Sequence, residues 1–157
     1  MAKKATLVID FGNSATRFNV IYDTESGIHQ EHFHSVKNTF ARLSDDYVVP
    51  DVYMNRENTF IEFSDDVYAH GPIVEREFSK SLIRPSTVEK KYNAQATELA
   101  VRYALYQGIN DVAEFSGEIG SKLDAISKDI EWDIVALLPP IDVQNGKEAM
   151  RSNFKSI

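Results

Sequence analysis

Residues 5–10 (Ala-Thr-Leu-Val-Ile-Asp) are apolar almost throughout, the pattern of a strand covered on both faces. Residues 17–22 alternate instead, with Phe18, Val20 and Tyr22 on one face. The small polar run Gly12-Asn13-Ser14 between them predicts a tight turn. A second turn cluster, Asp23-Thr24-Glu25-Ser26-Gly27, leads to a third strand at 28–36, which is less apolar and suits a sheet edge. Together these make an antiparallel meander. From residue 37 to 89 the pattern breaks into short β-prone runs at 47–49, 59–63 and 67–69. The polar clusters Ser44-Asp45-Asp46, Asn55-Arg56-Glu57-Asn58 and Ser64-Asp65-Asp66 separate them, and 58–71 reads as a hairpin ending in a tight Gly71-Pro72 turn. This stretch reads as a small inserted α+β subdomain. Ala96, Leu99, Ala100, Tyr103 and Ala104 then recur at helical spacing and predict a helix over 92–107, closed by Gly108 at its C-cap. Residues 109–128 are ambiguous: Gly117 and Gly120 interrupt them, and 121–128 suit a short helix. Residues 132–138 form a strong strand, doubly buried in type, which Pro139-Pro140 ends. The segment 147–157 is helix-prone, with Ala149 or Met150, Asn153, Phe154 and Ile157 on one side. A helix between two such strands supplies a crossover, so the strand at 132 should run parallel to the first.

Length and charge narrow the possibilities. A chain of 157 residues holds one domain, or a domain with a small subdomain. A net charge of −7 argues against a broad nucleic-acid-binding face, leaving only Lys147, Arg151 and Lys155 as a local basic cluster. The absence of cysteine excludes disulfides, thiol catalysis and cysteine-based zinc sites. No apolar run reaches membrane-spanning length and the N-terminus lacks a signal-peptide core, so a cytoplasmic location is expected.

The first turn carries the strongest candidate chemistry. Asp10 closes the first strand and Arg17 stands on the second. Gly12 permits close backbone approach, and the amides of Gly12, Asn13 and Ser14 can converge on one anion. Ser14 and Thr16 add hydroxyl donors, and Arg17 presents a planar fork to phosphate oxygens. Asp10 would repel a phosphate directly, so its role would be to hold a hydrated Mg²⁺ that the phosphates also touch. The bland reading is a tight hairpin with a solvated acid and a surface arginine. Other groups read as structural. His32 and His34 share one strand face near His29, but no acid of suitable spacing completes a metal set. Asp45-Asp46 and Asp65-Asp66 lie in turns, where Asp bonds its own backbone. Leu99, Tyr103 and Tyr106 read as a core stripe, and Trp132 as packing.

Four stretches carry a resemblance. Ile9-Asp10-Phe11-Gly12-Asn13-Ser14-Ala15-Thr16-Arg17 is similar to the first phosphate loop of the actin/sugar-kinase/Hsp70 superfamily, of the form Asp-x-Gly-x-x-x-x-Lys/Arg, with Arg17 where Lys is common. Tyr68-Ala69-His70-Gly71-Pro72 resembles the hairpin of the family's insert. Asp133-Ile134-Val135-Ala136-Leu137-Leu138-Pro139 is similar to its next core strand, and the segment 147–157 to the basic helix that follows. Within that group the chain most resembles the bacterial actin-like plasmid-segregation ATPases of the ParM/StbA type. The resemblance implies a ribonuclease-H-like α/β fold, with residues 1–36 and 90–157 as the core and 37–89 as the insert. It implies ATP (or GTP) with Mg²⁺ as cofactors, Asp10 as the catalytic residue and water-mediated metal ligand, and Gly12, Asn13, Ser14, Thr16 and Arg17 at the phosphates. It also implies self-association into nucleotide-dependent filaments that segregate or position plasmid or phage DNA through a DNA-binding adaptor. The matches span nearly all of this chain but about half of a family member. The second phosphate loop, the adenosine motif and the water-positioning residue are expected after Ile157, so the chain reads as an N-terminal half, inactive alone. The alternatives are a catalytically silent interaction module and a kinase- or chaperone-type member of the superfamily.

Overall fold

The computed structural model describes residues 3–24, 26–85, 95–118, 127–137 and 140–155. In chain order the strands are β1 (Lys3–Phe11), β2 (Ala15–Asp23), β3 (His29–Lys37), β4 (Phe40–Arg42), β5 (Thr59–Phe63), β6 (Asp66–His70) and β7 (Ile130–Leu137). The helices are α1 (Pro72–Glu77), α2 (Gln95–Phe115) and α3 (Pro140–Lys155), with a 3₁₀ turn at Asp51–Tyr53. The first three strands form the antiparallel meander that alternation and turn residues predict, and β7 lies parallel to β1. The sheet order is β3-β2-β1-β7. A parallel neighbour requires a crossover, and α2 lies within it.

One face of this sheet makes the core. Leu7, Ile9, Phe18 and Val20 are fully enclosed, beneath Leu99, Ala100, Ala104 and Val112 of α2 and Met150 of α3. Each such Leu, Ile, Val or Phe contributes about 1.5–3 kcal/mol relative to exposure. The expectation of doubly buried strands is corrected here. On β7 every second residue faces outward, leaving Val135 43% and Leu137 51% exposed. On β1 the alternate positions Thr6, Val8 and Asp10 are only half-buried. An apolar run reports how many apolar residues a strand holds, not how many layers cover it.

The expected helix end at Gly108 is also corrected. The helix runs on to Phe115, and Gly108 is buried within it. A Cβ there would stand 2.7 Å from Cη2 of Trp132, so the glycine admits the indole ring. Gly117 is the real stop. Its φ of +74 suits glycine, its amide bonds to Glu114 O, and the Glu118 amide bonds back to Ala113 O. Tyr106 is 42% exposed and leaves the predicted core stripe. The helix α3 starts at Pro140, earlier than the expected 147, as a proline in a first turn permits. The expected helix start at Tyr92, residues 121–126 of the expected short helix at 121–128, the boundary near residue 89 and the side chains of Asn153 and Ile157 lie outside the described residues.

A second sheet, ordered β4-β6-β5, follows β3. Ser64 and Asp65 reverse the β5–β6 hairpin with φ of 52 and 66, the two-residue turn whose twist matches the strands. Ala41, Leu43, Tyr53, Ala69, Ile73 and Val74 form its own small core with α1. Phe40, Ile61 and Tyr68 instead join the main core. His70 sits in the seam between the sheets, its Nε2 donating to Lys37 O at 2.9 Å and its ring 4.4 Å from that of Tyr103.

Candidate functional site

The β1–β2 turn lies where the parallel strands β1 and β7 end, the side on which open α/β sheets bind ligands. Phe11 and Thr16 are the last paired residues, so Gly12, Asn13 and Ser14 make the reversal. A Cβ on Gly12 would stand 2.3 Å from Ala15 O, too close for any side chain. The turn is held from outside. Asn38, just beyond β3, donates its Nδ2 to Gly12 O at 2.7 Å and its amide to Ser14 O at 3.0 Å. Its Oδ1 accepts the hydroxyl of the buried Thr16 at 2.6 Å. Thr16 thus spends its hydroxyl inward, on the shape of the turn. Asn38 is a residue that sequence reasoning missed; its only local signal is an amide side chain directly after a strand.

The remaining groups of the turn stay unspent. Among the described residues, the amides of Gly12, Asn13 and Ser14 carry no hydrogen bond. Asp10 and Arg17 are directly opposed across β1 and β2 on the outward face of the sheet, yet neither forms an ion pair or a side-chain hydrogen bond among the described residues. Asp10 is half-buried, whereas Asn13, Ser14 and Arg17 are exposed. The result is a small exposed cluster of three amides, a guanidinium and a carboxylate, fit for a phosphate and the hydrated cation that accompanies it. A cavity of 740 Å³ lies elsewhere, where β1 and β7 begin, lined by Lys3, Lys4, Asp23, Glu131, Trp132 and Asp133. None of the turn residues borders it.

An antiparallel meander that turns at this loop, a second sheet inserted after β3, a helical crossover and a parallel β7 make a distinctive sequence of elements. The fold is like that of part of ParM. The chain aligns with apo psk41 ParM at a TM-score of 0.52 and 11% identity, covering 98% of this chain and 41% of that one. It aligns with a non-polymerisable quadruple mutant of pCBH ParM at a TM-score of 0.54 and 17% identity, covering 98% and 39%. The chain therefore spans about two fifths of the length of these ParM structures. No family model and no curated protein matches it. At such identity the ParM likeness is one of fold: mixed α/β, built on a mixed sheet.

A second polar cluster appears that spacing along the chain could not reveal. The acid missing from the His32–His34 pair is Asp111 of α2, 5% exposed and bonded to both rings. His29 stands apart, raised above its ordinary pKa by its hydrogen bond to Asp23. No described helix is long and apolar enough to cross a membrane.

Proposed function

We propose that residues 10–17 are the first phosphate loop of a ParM-type nucleotide site, within an actin-like ATPase whose filaments segregate or position plasmid or phage DNA. The observation that carries this is the placement on one hairpin, within a ParM-like fold, of three amides, Arg17 and Asp10 that have no hydrogen-bond or ion-pair partner among the described residues. In this reading the amides of Gly12, Asn13 and Ser14 cradle the phosphates of ATP or GTP. Arg17 offsets their charge from the outward sheet face, and Thr16 with Asn38 fixes the loop against collapse. Asp10 would hold a hydrated Mg²⁺. Magnesium, when bound, would screen the phosphate charge and favour attack at the terminal phosphorus. The fit is chemical: a carboxylate without a partner among the described residues stands on the same hairpin as amides suited to an anion, which cannot neutralise it.

Self-association is part of the same proposal, since one ParM of this fold was studied as a non-polymerisable mutant. A DNA-binding adaptor and a cytoplasmic location complete it, consistent with a net charge of −7. The ribonuclease-H-like designation, with residues 37–89 as the insert, also belongs here. This chain supplies one wall of a nucleotide cleft, and a small-ligand site must enclose most of its ligand.

Titration of the chain with Mg-ATP, followed by calorimetry and amide NMR, tests the reading. The expected result is weak binding without turnover, with shifts concentrated at Gly12, Asn13, Ser14 and Arg17. Shifts confined to other residues would overturn the assignment of the loop. Tight binding with steady phosphate release would overturn the one-walled site.

A further inference from the structure

His32 and His34 lie two residues apart on β3 and so face the same side of the edge strand. Asp111 reaches that side from the middle of α2. His32 Nδ1 donates to Asp111 Oδ1 at 3.0 Å, and His34 Nε2 donates to Oδ2 at 2.7 Å. The carboxylate is nearly closed from solvent, with a side-chain exposure of 6%, while His34 shows 22% and His32 48%. Apolar rings hold the imidazoles in place: Phe18 stacks on His34 with centroids 4.6 Å apart, and Phe115 lies 5.8 Å from His32. Three ligand atoms, one from each residue, lie within 4.8 Å of one another.

We propose that His32, His34 and Asp111 form a binding site for a divalent transition-metal ion of the Zn²⁺ class. Two imidazoles and one carboxylate suit borderline ions such as Zn²⁺ and Fe²⁺. In the metal-free arrangement each ring points an N–H at the carboxylate, because an ionised carboxylate can only accept. The ion takes the place of those two ring protons as lone-pair acceptor, while the opposite ring nitrogens carry the protons instead. Ligand bonds of about 2.0–2.1 Å in a tetrahedral site set neighbouring ligand atoms about 3.3 Å apart. The 2.7 and 3.0 Å contacts, each to a different carboxylate oxygen, would open by a few tenths of an ångström, and the widest separation among the three ligand atoms, at most 4.8 Å, would close by up to about 1.5 Å. The half-exposed His32 leaves a fourth position open to water. Occupancy would clamp β3 to α2 through side chains, on the strand that ends the sheet among the described residues.

The test is a calorimetric titration of the untagged, chelator-stripped chain with Zn²⁺, with Co²⁺ absorption reporting ligand geometry. One ion per chain is expected, with a rise in Tm of about 5 °C or more once free Zn²⁺ exceeds Kd a hundredfold. Asp111→Asn should weaken binding at least about tenfold. Because Asp111 is buried, its variant can fail to fold, so His32→Ala at the exposed ligand serves as the second variant and should show the same weakening. His29→Ala should leave binding unchanged. No saturable binding below about 1 mM would overturn the proposal. So would equal affinity in the wild type and His32→Ala, or loss of the ion in His29→Ala.

Discussion

The β1–β2 and β5–β6 hairpins both reverse within a few residues and both carry an acid at a strand end, but they treat that acid in opposite ways. The β5–β6 turn shapes its own backbone, and its acid is paired from β4. Ser64 and Asp65 adopt the positive φ values the turn needs, and Asp66 accepts from Arg42 and from the Tyr68 hydroxyl. The hydrogen bond from Arg42 holds the Asp66 carboxyl below its ordinary pKa. The β1–β2 turn is not self-sufficient. It depends on Asn38 from outside, and Asp10 receives no side-chain partner among the described residues even though Arg17 is directly opposite. Among the described residues one hairpin thus pairs its acid and the other does not, and under the proposed function the second acid is held for a ligand.

The largest effect should therefore separate the two acids. In a protein that joins these residues to a second nucleotide-binding half, Asp10→Ala is expected to lower turnover about a thousandfold or more, with a much smaller loss of nucleotide affinity. Asp66→Ala in the same protein should leave turnover near the wild-type value. Steady-state phosphate release decides it: unchanged turnover in the Asp10 variant rejects the metal-water role, and an equal loss in both variants dissolves the contrast.

The next effect is structural. Asn38→Ala removes two side-chain hydrogen bonds and leaves the buried Thr16 hydroxyl and Gly12 O without them. A loss of about 2 kcal/mol is expected from urea unfolding. Asn58 performs the comparable task in the second sheet, accepting the Ile73 amide at the start of α1 through its Oδ1 at 2.9 Å. If Asn38→Ala costs nothing, the β1–β2 turn holds itself and the two hairpins are alike.

These two hairpins also mark how far the sequence could be read. Asp10, Gly12, Asn13, Ser14 and Arg17 lie within one hairpin, so their nearness was legible from spacing alone. The alternation of β2 and the turn residues around it gave the meander for the same reason. What spacing could not show depends on partners distant in the chain. Gly108 reads as a helix stop until Trp132 is seen to fill the space above it. Thr16 reads as a free donor until Asn38 Oδ1 accepts its hydrogen bond. The histidine pair lacks an acid until α2 brings Asp111 against it, 77 residues beyond His34. The outward faces of β1 and β7 could not be foreseen, because an apolar run is compatible with either one covering layer or two.

A smaller effect concerns the seam between the sheets. Burial pushes His70 below its ordinary pKa of 6.5, against the opposing pull of its hydrogen bond to Lys37 O. As pH falls, the unfolded chain takes up this proton before the folded one does. Stability from His70 is thus fully present above 6.5 and is lost as pH falls toward the depressed folded value. His29 runs the other way, since its pKa is raised. His70→Gln keeps a donor and removes the titration, so urea midpoints at pH 7.5 and 5.5 should fall more in the wild type than in this variant. Equal falls would remove His70 from the acid sensitivity of the seam.

The smallest effect is expected where the pairing looks best. Asp66 and Arg42 form an ion pair at the surface, with Arg42 56% exposed along its side chain. Two solvated charges gain little from meeting, and salt screens what they gain. Since the folded carboxyl of Asp66 sits below its ordinary 3.8, its contribution is present above that value and is lost as pH falls through the folded pKa. Near neutrality, Asp66→Asn should shift Tm barely beyond error, and added salt should narrow the difference further. A thermal melt at low and high ionic strength measures this directly. A large, salt-insensitive drop would mean that the pair braces the β5–β6 hairpin as Asn38 braces β1–β2, and that the unpaired state of Asp10 is no longer the feature that distinguishes the two turns.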